Sequence, residues 1–150
     1  MKLATALTQR ADLQTKISEL SVRLNNNAKV QEGEEPAERP EELLKELDSC
    51  CRQLEALIAG INLTNSKTVI NGKTITELLA KRDVLAKKIN TERTFLDNAS
   101  ERVTRYSKTE IVIKSTVDVA DLQKKIDKMS KELRELDEII QEANWTTDLL

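Results

Sequence analysis

Apolar residues recur at alternating steps of three and four positions in four stretches of the chain, with polar and charged residues between them. This spacing places the apolar side chains along one side of a helix, as in coiled coils. In the last stretch the series comprises Leu122, Ile126, Met129, Leu133, Leu136, Ile140 and Ala143. The pattern therefore predicts four long helices, each with an apolar seam that packs against another helix.

The first two helices are separated by a polar loop. The first is predicted from about Leu3 to Asn25, with a seam that comprises Leu13, Ile17, Leu20 and Leu24. Residues 28–40 contain Gly33, two prolines and several glutamates, which predicts a loop. Pro40 suits the first turn of the second helix, where no backbone N–H is needed. The predicted seam of this helix comprises Leu44, Leu47, Cys51, Leu54, Ile58 and Ile61, and Gly60 with the polar residues after it predicts its end.

The second half of the chain contains two β-favouring segments. Asn71-Gly72 lies between such residues and predicts a tight β-hairpin. Thr74 and Glu77 have the spacing of a capping box, so the third helix is predicted to begin around Ile75. It continues for about thirty residues, through Val103 and Tyr106. At a rise of 1.5 Å per residue, this helix is ~45 Å long. The β-branched residues Ile111–Ile113 predict a short strand, and the fourth helix ends near Asn144, just before Trp145.

The chain length and the short connections predict one architecture. A chain of 150 residues has the size of one domain, so residues 1–150 are expected to form a single helical domain. Successive helices joined by short connections run antiparallel, which favours a mainly α, coiled-coil-like bundle or a pair of helical hairpins. Aromatic residues make up only 2% of the chain, so the core is expected to be aliphatic.

The hairpin and the predicted strand are candidate interface elements, because an unpaired strand edge is a template for a partner. A straight third helix would separate them by ~45 Å. Either Lys29-Val30-Gln31 pairs with the strand locally, or a second, antiparallel subunit covers it. Trp145 either fills a groove on a neighbour or caps its own bundle, and we favour plain packing. The second-subunit alternative predicts a homo-oligomer interface that includes Val69, Ile70, Ile111, Val112, Ile113 and Trp145.

The sequence gives little support for an enzyme. The chain has no histidine, which removes the commonest general base and the histidine ligands of helical di-iron sites. Gly33, Gly60 and Gly72 are too far apart for a phosphate-binding loop. Cys50 and Cys51 diverge by about 100° on a helix, so we interpret them as reduced, buried hydrophobes and not as metal ligands. Neither enzymatic activity nor a cofactor or metal is predicted.

Charge and hydropathy restrict the expected partners. The 24 basic and 26 acidic residues give a net charge of -2, which predicts no broad attraction to nucleic acid or anionic lipid. No export signal is recognised, because polar residues interrupt the N-terminal apolar residues. No run approaches the ~20 apolar residues that span a bilayer. We therefore expect a cytoplasmic protein whose partner is itself, with no nucleic-acid or membrane partner.

Three long strings of the sequence carry a family resemblance. They are Asn25-Asn26-Asn27-Ala28-Lys29-Val30-Gln31-Glu32-Gly33, then Arg105-Tyr106-Ser107-Lys108 with Ser115-Thr116-Val117-Asp118-Val119-Ala120-Asp121-Leu122-Gln123, and Gln141-Glu142-Ala143-Asn144-Trp145-Thr146-Thr147. Over nearly the whole chain the sequence resembles a bacterial family of unknown function whose members are often labelled septicolysin. The resemblance implies a helical, coiled-coil-rich homo-oligomer, dimer or hexamer, with no established activity.

The septicolysin label implies an alternative function, that of a membrane-active pore-forming lysin. A secreted pore former is expected to carry an export signal, a membrane-inserting segment or an aromatic belt. The sequence shows none of these features. Our leading hypothesis from the sequence is therefore a non-enzymatic helical homo-oligomer that acts through protein–protein interaction.

Overall fold

The computed structural model describes residues 1–101 and 112–150, and these residues are mainly helical. In chain order the elements are α1 (Leu3–Asn26), α2 (Pro40–Lys67), β1 (Val69–Ile70), β2 (Lys73–Thr74), α3 (Ile75–Ser100) and α4 (Val119–Thr146). The predicted fold class, long helices with a small β-hairpin, is confirmed. Val112 and Ile113 belong to no helix or strand. Ile111, and the predicted extension of α3 through Val103 and Tyr106, fall outside the described residues.

These residues form two compact units. Unit 1 comprises Met1–Ile75 and Glu142–Leu150, and unit 2 comprises Thr76–Gln141. Unit 1 therefore contains α1, α2, the hairpin and the end of α4, whereas unit 2 contains nearly all of α3 and most of α4. The single domain expected from the chain length remains a prediction.

Helices α1 and α2 of unit 1 pack through an aliphatic core. Leu20 of α1 and Leu43 and Cys50 of α2 are buried together. The partly buried residues around them are Leu13, Ile17, Leu24 and Leu47. The seam predicted for α1 is thus confirmed. Pro40 begins α2 as expected, and Glu41 and Glu42 follow in its first turn, where the helix dipole favours negative charge.

The loop between α1 and α2 is attached to the end of α1 by one polar cluster. The Asn27 side chain donates to the carbonyl of Arg23 at 2.8 Å and accepts the backbone N–H of Glu38 at 3.0 Å. The Arg23 guanidinium binds both oxygens of the Glu38 carboxylate, with Nε 3.0 Å from Oε2. This hydrogen bonding holds the pKa of Glu38 below its ordinary value.

Helix α2 continues past Gly60 to Lys67, so the predicted end at Gly60 is wrong. The last residues of the chain stabilise this extension. Thr64 is fully buried, and its hydroxyl donates to the Gly60 carbonyl at 2.8 Å and accepts the backbone N–H of Leu150 at 3.0 Å. Leu149 packs on α2 beside Gly60, where a Cβ atom would lie 3.4 Å from Leu149 Cδ2.

The two ends of the chain pair with each other in unit 1. The backbone N–H of Leu3 donates to the Thr147 carbonyl at 2.9 Å, and that of Leu149 donates to the Met1 carbonyl at 2.8 Å. The Lys2 ammonium forms an ion pair with Asp148 at 3.0 Å. The start of α1 and the end of α4 are thereby held together within unit 1.

The β-hairpin has the predicted turn. Strands β1 and β2 are antiparallel, with Val69 opposite Thr74 and Ile70 opposite Lys73. Asn71 and Gly72 both have positive φ, at 51° and 81°, as a type I′ turn requires. The prediction from Asn71-Gly72 is confirmed, and α3 begins directly after the hairpin, at Ile75.

Unit 2 is a helical pair with its own apolar core. Ile89 and Leu96 of α3 and Ile126 and Met129 of α4 are buried together. Leu85, Val119, Leu122 and Leu133 pack around them. The seam predicted for α4 is confirmed, since its members are buried or half-buried from Leu122 to Ala143. The aliphatic seams of this unit are thus used within the chain.

Candidate self-association surface

Helix α2 has two apolar stripes side by side. Its sequence contains apolar doublets at intervals of seven residues: Leu43-Leu44, Cys50-Cys51 and Leu57-Ile58. Seven residues are nearly two helical turns, so equivalent members of the doublets lie on the same side of the helix. The first members face inwards, whereas the second members are exposed, with Leu44 at 49% and Ile58 at 37%.

The inward stripe differs by one residue from the seam that the sequence predicted. We predicted Leu44, Cys51 and Ile58 in the buried seam, but Leu43 and Cys50 are buried in their place. Interpreting both cysteines as buried hydrophobes is therefore right for Cys50 and wrong for Cys51, which is exposed. Both stripes have coiled-coil spacing, and packing against α1 decides which one is buried. The doublets were the sequence signal for a second stripe.

The exposed stripe, which we call the α2 stripe, comprises Leu44, Cys51, Leu54 and Ile58. Leu54 is half-buried and lines this surface. A shallow groove of about 510 Å³ runs along part of the stripe, and most of its wall is apolar. It is lined by Cys51, Leu54, Glu55, Ile58, Ala59 and Asn62. The α2 stripe is thus an extended apolar surface on a helix whose other stripe is already packed.

Exposed charged residues of both signs follow the α2 stripe along one side. In order they are Lys45, Asp48, Arg52 and Glu55. Within the described residues, none of these four side chains forms an ion pair. The border of the stripe therefore offers two positive and two negative groups to a partner.

The interface residues predicted from the sequence belong to three segments of the chain. Val69 and Ile70 form β1 of the hairpin, where Val69 is exposed and Ile70 half-buried. Val112 and Ile113 are exposed in the segment before α4, and Ile111 lies outside the described residues. Their predicted role in an interface remains a prediction.

Trp145 lies in the last turn of α4 and is 66% exposed. The plain packing role that we favoured for it, as a half-buried cap on its own bundle, is therefore wrong for the single chain. Successive helical side chains are about 100° apart, so Trp145 lies about 200° around the helix from Ala143. Ala143 occupies the buried position of the α4 seam. The tryptophan is left at the surface.

The described residues contain neither a cluster of metal ligands nor a helix suited to cross a membrane. No group of three or more potential ligand side chains is placed to hold a metal ion in 1–101 or 112–150. Within the same ranges, no helix combines the length and the apolar character that crossing a bilayer requires.

The structure is similar to a crystal structure titled as a functionally unknown conserved protein from Corynebacterium diphtheriae. The two share 42% sequence identity and a TM-score of 0.89, over 100% of this chain and 99% of that chain. No curated protein matches the sequence. The resemblance to proteins labelled septicolysin stays a prediction. The model of a family of unknown function matches residues 10–149, which is most of the chain, and the protein therefore belongs to that family, DUF6847.

Proposed function

We propose that this protein is a non-enzymatic helical protein that acts through protein–protein interaction, and that it self-associates through the α2 stripe. The observation that carries the proposal is the exposed apolar stripe at seven-residue spacing, which lies beside a stripe that α1 already covers. Single exposed apolar residues are ordinary, but a continuous apolar surface with a polar border is typical of an interface.

The spacing of the stripe fits a second copy of the same helix. Leu44 and Ile58 each lie seven residues from Cys51. In an antiparallel pair related by a two-fold axis near Cys51, Leu44 of one copy therefore meets Ile58 of the other. The two Cys51 side chains meet at the axis. An isologous contact of this kind joins the same patch on both subunits and closes on itself.

The charged border also suits a second copy. Lys45 and Arg52 alternate with Asp48 and Glu55, so each copy presents groups that complement those of the other. An exposed ion pair contributes only about 0–1 kcal/mol, so these charges would set orientation more than affinity. The burial of the aliphatic side chains would supply most of the binding free energy.

Two further parts of the proposal come from the sequence. The hairpin edge at Val69 and Ile70 is a second candidate contact, and the exposure of Val69 supports it. We also propose a cytoplasmic location, which the two free cysteines support, because disulfides are rare in that compartment.

The direct test is the mass of the protein in solution. Sedimentation velocity or light scattering at micromolar concentration is expected to show at least a dimer. Ile58→Lys places a charge in the stripe and should lower the mass at least twofold. Val84→Lys is the matched control, because Val84 is an equally apolar, exposed helical residue of unit 2. A wild-type protein that stays monomeric would overturn the proposal.

Oxidative cross-linking tests the position of the two-fold axis. A disulfide requires Cα atoms within about 7 Å, a distance that a symmetric contact at Cys51 permits. Air oxidation catalysed by copper-phenanthroline should therefore yield a disulfide-linked dimer on a non-reducing gel. Cys51→Ser should abolish it, and Cys50→Ser should retain it because Cys50 is buried. Equal cross-linking by both variants would contradict the antiparallel arrangement.

A further inference from the structure

A second groove lies between α3 and α4, entirely within unit 2. Its volume is about 610 Å³, and its floor contains buried Ile89 and half-buried Leu133. The charged side chains along it are Arg93, Arg134, Asp137 and Glu138. The groove is therefore apolar at its base and charged along its length.

The charges along this groove are ordered. Arg93 lies level with Ser130, whose hydroxyl accepts a hydrogen bond from its guanidinium at 3.0 Å. A helix rises 1.5 Å per residue, so Arg134 lies about 6 Å beyond Ser130, and Glu138 about 6 Å beyond Arg134. Asp137 is beside Glu138, and the Asp137 carboxylate is 3.9 Å from Arg82 Nε. One end of the groove, with Arg93 and Arg134, is thus basic. The other end is acidic through Glu138, because Arg82 balances the charge of Asp137.

We propose that this groove binds the same groove of a second copy of the chain, with the two α4 helices antiparallel. A two-fold axis near residue 136 places the basic end of each groove on the acidic end of the other. Arg134 of one copy then faces Glu138 of the other, and this pairing occurs twice. The apolar floors, which contain Leu133, pack together as in a bundle of four helices.

The charge order selects a second copy over other occupants. The side chains of Arg134 and Glu138 are exposed. Among the described residues, neither of them forms an ion pair within the chain. An antiparallel copy provides the complementary order without any further partner. Complementary potentials of this kind determine register and suppress wrong partners.

This inference rests on the proposed function, because it adds a second contact to a chain that already self-associates through the α2 stripe. Two different isologous surfaces on one chain generate assemblies of more than two chains. We therefore expect the full-length protein to be larger than a dimer. Loss of either surface alone should leave a dimer that is held by the other.

The test uses full-length variants and sedimentation velocity. Arg134→Glu sets like charges against each other and should reduce the mass at least twofold, to that of a dimer. The double variant Arg134→Glu with Glu138→Arg reverses the order but keeps it self-complementary, so it should restore the wild-type mass. Lys131→Glu is the matched control, since Lys131 is on the same helix but pairs with Glu135 and does not line the groove.

The outcomes separate the two surfaces. If Arg134→Glu leaves the mass unchanged, or the double variant fails to restore it, the proposal that a second copy occupies the groove is wrong. The groove is then left for another partner. This result would not affect the α2 stripe if Ile58→Lys still lowers the mass. If Ile58→Lys has no effect while Arg134→Glu and its rescue behave as expected, self-association through the α2 stripe is wrong. Self-association through the groove is then supported. Combining Ile58→Lys with Arg134→Glu should give a monomer.

Discussion

The Glu92 side chain in the apolar seam of unit 2 leads to a specific stability prediction. Glu92 lies on α3 between buried Ile89 and Leu96. One of its carboxylate oxygens, Oε1, accepts a hydrogen bond from Lys125 at 2.9 Å. The other, Oε2, is buried and has no hydrogen-bond partner. We predict that Glu92→Met stabilises the protein, because methionine follows the same path without a polar atom to satisfy.

The expected magnitude follows from three contributions. Leaving a buried acceptor unpaired costs about 1–3 kcal/mol, and the methionine removes this cost. The ion pair that is lost contributes about 0–1 kcal/mol, since the Lys125 side chain is 56% exposed. Full burial of a methionine side chain contributes about 1.5–3 kcal/mol, and the end group at position 92 adds a part of this free energy. The free energy of unfolding should therefore rise by about 1–2 kcal/mol.

Urea unfolding followed by circular dichroism at 222 nm measures this change. A chain of this size gains about 2–4 °C in Tm for each kcal/mol, so thermal unfolding provides a second measure. Glu92→Gln is the control, because it keeps the shape and a polar end group but removes the charge. It should be neutral or slightly destabilising.

If Glu92→Met lowers the free energy of unfolding by more than Glu92→Gln does, the pair with Lys125 outweighs the unpaired oxygen. Lys125→Ala provides the complementary measurement. It should lower the free energy of unfolding, whereas Glu92→Met raises it, because Lys125→Ala leaves the partly buried carboxylate without its cation.

Three further outcomes follow from the structure. Thr64→Val keeps the shape of a fully buried side chain but removes the acceptor of the Leu150 N–H, so chemical denaturation should show a loss of about 1 kcal/mol. Hydrogen bonds from basic residues of α1 lower the pKa values of Glu38 and Glu46 below their ordinary value of 4.5. Each carboxylate binds a proton more readily in the unfolded chain than in the folded one, so both groups stabilise the fold above about pH 4.5. The free energy of unfolding should fall as acid titrates the two carboxylates in the native state. Unfolding measured between pH 7 and pH 3 checks this, and Glu38→Gln should flatten the pH dependence. Finally, pure protein should release no dye from liposomes, and release comparable to that of a known pore former would favour the lysin alternative.

Much of the local structure followed from the sequence alone. The three-four spacing of α1 and α4 identified their buried faces, because that spacing is a property of the helix itself. Pro40 and Asn71-Gly72 predicted a helix start and a turn, because each residue type restricts its own backbone angles. These features depend on a few neighbouring residues, and the structure confirms them.

The sequence alone does not identify the α2 stripe as a surface. The sequence placed an interface at two strand edges and Trp145, whereas the α2 stripe lies on a helix and was interpreted as core. The doublets at positions 43–44, 50–51 and 57–58 showed two stripes with the same spacing. Spacing alone does not distinguish them, because either stripe could pack on α1.

Only the tertiary structure decided which stripe of α2 is buried, how far the helix extends and where Trp145 lies. The first two outcomes depend on residues that are distant in the sequence. Leu20 packs against Leu43 and Cys50, and Leu149 and Leu150 hold the end of α2 beyond Gly60. Periodicity determines that an apolar face exists, but the free energy of burying it depends on which other surface covers it. That surface is set by the fold as a whole.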